Sequence, residues 1–130
     1  SPALDILTDN ALTAADGVLI PVQAEDSSLD AVGLLLGQIG ALEAELRRDK
    51  LILHGLVVSM LERGKGGVAR SLLARSVIDS LALLPLPILA TVPRSVGLAE
   101  AWRHGRAIAD YAPESEHAQV YRDLAEWIAA

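Results

Sequence analysis

An α/β fold built on a parallel sheet is what this 130-residue sequence predicts. Three observations carry that reading. Val18–Val22, Leu51–Leu61 and Leu86–Val92 are short apolar runs of the kind that form buried strands. The longer stretches between them repeat leucine and valine every three or four residues, which is the signature of a helix with one apolar face. Strands that alternate with helices are joined by right-handed crossovers, and that makes the sheet parallel.

Each element follows in order. Leu4, Leu7, Ala11, Leu12 and Ala15 share a helical face, Pro2 suits a first turn, and Asp16-Gly17 closes the helix predicted over about Ala3–Ala14. Val18–Val22 is the first strand, with Pro21 marking a strand end or a sheet edge. Ser27 or Ser28 is the expected cap of the next helix, whose stripe is Leu29, Val32, Leu36, Ile39, Leu42 and Leu46. Arg47 and Arg48 in its last turn complement the helix dipole. Leu51–Leu61 is the second strand, interrupted only by His54, Gly55 and Ser59. A basic, glycine-rich loop over Glu62–Gly67 leads to a helix over Ala69–Leu84, ended by Pro85 and Pro87. Leu86–Val92 is the third strand and Val96–Arg103 a short helix. Ile108–Tyr111 reads as a brief extended piece, and a last helix starts at Pro113 or Ser115. The sheet thus has three to four strands with helices on both faces, and residues 1–130 form a single domain.

Composition narrows the function classes. Hydrophobic residues make up 52% of the chain, which excludes a disordered segment, and with no Phe the core is aliphatic. Without Cys there is neither a disulfide framework nor a thiolate metal site, which suits a reducing cytoplasm. A net charge of −6 argues against gripping nucleic acid with the whole surface, though not against a local patch. No apolar run approaches the roughly 18 residues of a membrane span, and no signal peptide is visible, so no membrane partner is expected.

Two stretches carry candidate chemistry. In parallel α/β sheets ligands bind beyond the carboxyl ends of the strands. Thr91 to Arg106, with Pro93-Arg94 directly after the third strand, occupies such a place, and so do Gln23, Glu25 and Asp26 after the first. Lys65-Gly66-Gly67-Val68-Ala69-Arg70-Ser71 has the strand–loop–helix context of a phosphate loop, but Ala69 stands for the final glycine and Arg70 for the lysine. Residues alone leave this segment as either a basic surface loop or an anion contact, with Arg63, Lys65, Arg70 and Arg75 close together and no aromatic among them. His54, His104 and His117 lack metal-ligand spacing; His54 reads as a satisfied core or edge residue, and Trp102 and Trp127 as packing residues.

Four blocks in order resemble a known family. They are Asn10–Glu25, with the run Ala15-Asp16-Gly17-Val18-Leu19-Ile20-Pro21-Val22-Gln23; His54-Gly55-Leu56-Val57-Val58-Ser59-Met60; Thr91–Ala101 with His104-Gly105; and Tyr111-Ala112-Pro113-Glu114-Ser115 with the final helix. Together they resemble the carboxyl-terminal half of ParA/Soj-type chromosome and plasmid partition ATPases, in the MinD/ParA group of deviant-Walker P-loop proteins.

The resemblance implies part of a parallel-sheet P-loop NTPase fold whose Walker A loop and Walker B aspartate lie upstream of Ser1. It places Met60 and Pro93 beside the adenine of ATP. It puts nonspecific DNA contacts on Arg63, Lys65, Arg70 and Arg94, so that the Lys65–Ser71 loop faces DNA rather than phosphate. Where close relatives carry Arg, Gly97 stands here, which shifts DNA contact toward Arg94, Arg103 or Arg106. It further implies ATP and Mg²⁺ in the intact protein, a dimer, a ParB-like partner and a cytoplasmic, nucleoid-associated location. With the phosphate-binding half absent, the chain alone is expected neither to hold ATP tightly nor to hydrolyse it. The competing expectation is a stand-alone DNA-binding or dimerisation module that works without nucleotide.

Overall fold

The computed structural model describes residues 6–46, 49–62 and 72–130. The elements run α1 (Ile6–Ala14), β1 (Gly17–Gln23), α2 (Asp26–Leu46), β2 (Ile52–Leu61), α3 (Leu72–Ala82), β3 (Ile88–Pro93), α4 (Val96–Arg103), α5 (Ile108–Tyr111) and α6 (Glu116–Ala129). Among the described residues the sheet has three strands in the order β1-β2-β3, and both pairs are parallel. The α/β class and the parallel sheet follow the sequence reading. Pro21 lies inside β1, which among the described residues has a strand neighbour on one side only, the position in a sheet that tolerates a residue without an N–H.

Side chains alternate across a strand, so β2 feeds two cores. Leu56 and Val58 point to one face, where they meet Ile20 of β1, Val32 of α2, and Val77 and Leu81 of α3. Val57 points the other way and packs with Val92 of β3 and Leu124 of α6, with Leu98 of α4 against them. A third cluster joins Leu12 of α1, Ile39 of α2 and Leu51. The helices therefore cover both faces. They do so because each carries one apolar stripe and the central strand is apolar on both sides.

Several boundaries differ from the sequence reading. Ile108–Tyr111 is a single helical turn, not an extended piece. The amides of Tyr111 and Ala112 donate to the carbonyls of Ala107 and Ile108 at 2.9 Å, and the Tyr111 ring stacks on His104 with centroids 5.3 Å apart. Tyr111 also donates to Glu100 at 3.3 Å; desolvation first, and the Glu100 carboxylate second, push its phenol above the ordinary value. α2 begins at Asp26, ahead of both expected caps, and the Ser28 hydroxyl donates back to the Gln23 carbonyl. α3 ends at Ala82, and Leu86 is buried in the turn before β3 rather than in the strand. The Arg47-Arg48 pair and the start of the helix predicted from Ala69 lie outside the described residues.

β2 is irregular at His54. Val18 pairs with Leu53 and Leu19 with Gly55, so His54 is the extra residue of a bulge. Its ring meets Trp127 edge-on at 5.7 Å, which ties the end of α6 to β2. At the other end of α6 the expected cap is present: Ser115 Oγ accepts from the Ala118 amide at 3.1 Å and donates to the Ala112 carbonyl at 2.7 Å. Ser115→Ala is expected to lower stability by about 1 kcal/mol, the usual loss for an N-cap, measured by urea denaturation. An unchanged midpoint would show that the cap contributes nothing here.

Candidate functional site

The carboxyl ends of the three strands open onto one cleft of about 170 Å³. Gln23 and Glu25 enter it from β1 and the turn that follows, Met60 and Glu62 from the end of β2, Ala74 from α3, and Arg94 from the residue after β3. Parallel strands all end on the same side of a sheet, which is why residues distant in sequence converge here.

Hydrogen bonds lace this edge together. The Gln23 amide nitrogen donates to the Met60 sulfur at 3.3 Å, joining the ends of β1 and β2. The Arg94 backbone N–H donates to the Leu61 carbonyl at 2.9 Å, joining β3 to β2. Met60 has φ 54°, a left-handed conformation unusual for a residue other than glycine. The ladder to β3 shifts register between Val58 and Leu61, so the strand turns at Met60 and leaves its side chain 50% exposed at the cleft. Backbone in that region costs on the order of 1–2 kcal/mol and tends to gather at binding edges.

The charges around the cleft are mixed. The Arg94 guanidinium lies 3.9 Å from Glu62, with both side chains about 60% exposed, an ion pair of little energetic weight in water. Glu25 and Glu62 add negative charge at the rim, and Arg94 is the basic residue lining the cleft among those described. No group of three His, Asp or Glu is placed to hold a metal ion among the described residues.

The sequence-predicted residues divide into three groups. Met60 and Arg94 come together in the cleft with Gln23 and Glu25. Pro93 is buried immediately before Arg94, its carbonyl 2.7 Å from Nε2 of the buried His117. Arg63, Lys65 and Arg70 lie outside the described residues. Two further arginines stand apart from the cleft: Arg103 is exposed in the last turn of α4, and Arg106 donates to the Asp110 carbonyl at 2.8 Å. Trp102, read from the sequence as a packing residue, is 85% exposed on α4, because the inward side of that short helix is taken by Leu98 and Ala101. The sequence reading missed Glu62 and Ala74 as cleft residues. Glu62 could have been found as the residue that closes the second strand; Ala74 carried no signal.

Comparison with known proteins adds an independent line. A family model described as an AAA domain matches residues 1–52. The chromosome-partitioning ATPase Soj of Thermus thermophilus is 43% identical over 99% of this chain and 50% of its own length. The sporulation initiation inhibitor protein Soj of Bacillus subtilis is 38% identical over 99% of the chain and 49% of its own. The chromosome partitioning protein ParA of Caulobacter vibrioides is 31% identical over 95% of the chain and 45% of its own. The chain spans about half the length of the curated relatives it matches.

Proposed function

The chain is of the ParA/Soj type along its whole length, and from that premise we propose that it forms part of a partition ATPase that separates replicated DNA. In this reading the cleft holds the base end of ATP, and Arg94 together with Arg63, Lys65 and Arg70 meets DNA without sequence preference. The observation that carries it is the convergence of Met60, Gln23 and Arg94 at the carboxyl edge of a sheet in a chain 43% identical to a partition ATPase.

The cleft's own chemistry suits a base better than a phosphate. Met60 offers a polarizable, half-exposed thioether for the flat face of a ring. The Gln23 side-chain amide can exchange hydrogen bonds with ring nitrogens. Glu25 and Glu62 repel phosphate oxygens. ATP with Mg²⁺ supplies the phosphoryl transfer when bound; this chain's residues hold and orient the base, and the phosphate and metal contacts belong to the rest of the protein. Pro93, at the end of β3 directly before Arg94, is assigned with Met60 to the adenine side, as the resemblance implies. Arg94, with Arg63, Lys65 and Arg70, forms the DNA-facing side, and dimerisation and a ParB-like partner complete the proposed cycle.

DNA binding by the purified chain at several salt concentrations tests this. We expect weak retention of random-sequence duplex that falls steeply with salt. Arg94→Ala is expected to weaken it equally for all sequences and to lower the salt slope by about 1. Retention absent even at low salt, or unchanged by Arg94→Ala, overturns the assignment of Arg94.

A further inference from the structure

A second cleft, of about 340 Å³, runs along the outer side of β3. One wall is the strand itself at Leu89, Ala90 and Thr91; the other is a stripe of α6 presenting Glu116, Val120, Asp123 and Trp127. Those four are spaced by four, three and four residues, so they form one line down the helix. The cleft follows the strand. His117 in the first turn of α6 sits on the carbonyl of Pro93, where β3 ends, and Trp127 in its last turn meets His54 near the start of β2. α6 therefore runs antiparallel to β3.

Three properties of this trench point to one kind of occupant. Among the described residues β3 pairs with β2 alone, so its outer edge presents main-chain donors and acceptors to the trench. The lining is apolar at Val120, between the two carboxylates, and again at Leu89 and at a half-exposed Trp127 beyond Asp123. Two carboxylates, Glu116 and Asp123, punctuate the α6 wall, and Asp123 accepts a hydrogen bond from Gln119 on the same helix at 2.7 Å.

We propose that this trench binds an extended basic peptide, which adds to the edge of β3 as a further strand and sets its cationic side chains against Glu116 and Asp123. The spacing sets the pattern. Seven helical residues separate the two carboxylates by about 10 Å. An extended chain advances about 3.3 Å per residue and turns alternate side chains to the same side. Two basic residues four apart, with an apolar residue midway to meet Val120, match that separation within the reach of a lysine or arginine. Main-chain pairing supplies the affinity and the two carboxylates the selectivity, as in other strand-addition sites. The proposal is independent of the nucleotide and DNA reading, because the trench shares no residue with the first cleft.

A fluorescein-labelled, end-capped pentapeptide with the order lysine, threonine, valine, threonine, lysine is the probe, followed by fluorescence anisotropy against the purified protein. Saturable binding that weakens with salt is expected, together with at least a tenfold loss of affinity in Glu116→Lys/Asp123→Lys. The milder Glu116→Gln/Asp123→Asn pair should show an intermediate loss, and circular dichroism melts establish that both variants stay folded. Two further peptides, one N-methylated at its threonines and the other at its valine, keep every charge and block opposite edges of the strand, and one of the two is expected to bind at least tenfold more weakly. The proposal fails if binding never saturates, if a glutamate version binds equally well, or if neither variant changes the affinity. It also fails if light scattering shows a wild-type dimer that Glu116→Lys/Asp123→Lys dissociates, since a second copy of the chain then fills the trench.

Discussion

Replacing Gly55 with alanine is expected to cost about 3 kcal/mol or more, a large share of the roughly 5–15 kcal/mol that holds a domain together. Two separate causes add at this position. Its φ of 146° is one that side chains rarely allow, and a Cβ there would lie 2.4 Å from the Pro87 carbonyl oxygen and 2.9 Å from Cγ of Leu89. The obstacle at 2.4 Å is backbone, and that carbonyl already accepts from the Leu56 amide at 2.8 Å, so it cannot retreat without breaking a link between β2 and β3. Gly105 separates the two causes. Its φ is 62° but no described atom lies within 4 Å of where an alanine methyl would sit, so Gly105→Ala is expected to cost only about 1 kcal/mol. Urea denaturation of both variants checks the pair. Equal losses would mean that the close approach of Pro87 to Gly55 has no energetic consequence.

His117→Leu is expected to cost about 2 kcal/mol, although leucine is the more apolar side chain. His117 is buried at the start of α6 with Nε2 2.7 Å from the Pro93 carbonyl. Leucine fills similar space but leaves that carbonyl without its partner, and an unsatisfied buried acceptor costs roughly 1–3 kcal/mol. Glutamine can place an amide nitrogen near the same point, so His117→Gln is expected to recover part of the loss. The consequence reaches the candidate site, because Arg94 follows Pro93 and its amide bonds to Leu61. Hydrogen exchange at the Arg94 amide should therefore quicken in His117→Leu and less so in His117→Gln. If exchange there stays at the wild-type rate while stability drops, α6 supports the fold without holding the cleft.

How much of the site was legible in the sequence depends on the kind of signal each residue left. Gln23, Met60 and Arg94 each close an apolar run, and a parallel sheet brings such ends to one edge, so their convergence follows from topology. The resemblance to partition ATPases added the roles proposed for Met60 and the basic residues. Neither route could show the left-handed backbone of Met60, the pairing of Arg94 with Glu62, or Ala74 at the cleft wall. Those depend on where a bulge falls and on how a helix rests on the sheet. Trp102 marks the same boundary from the other side: its size suggested packing, and the shortness of α4 leaves it in solvent.

What the sequence by itself determined is the architecture: apolar runs and helical stripes in alternation, hence a parallel sheet with helices on both faces, because periodicity and punctuation are local properties of the chain. What only the tertiary structure decided are the features that depend on contacts between distant segments. Gly55 has no room for a side chain because Pro87 passes against it. The acidic trench beside β3 exists because His117 and Trp127 pin the two ends of α6 along the strand. Each results from packing between elements far apart in sequence, and no local pattern encodes that geometry.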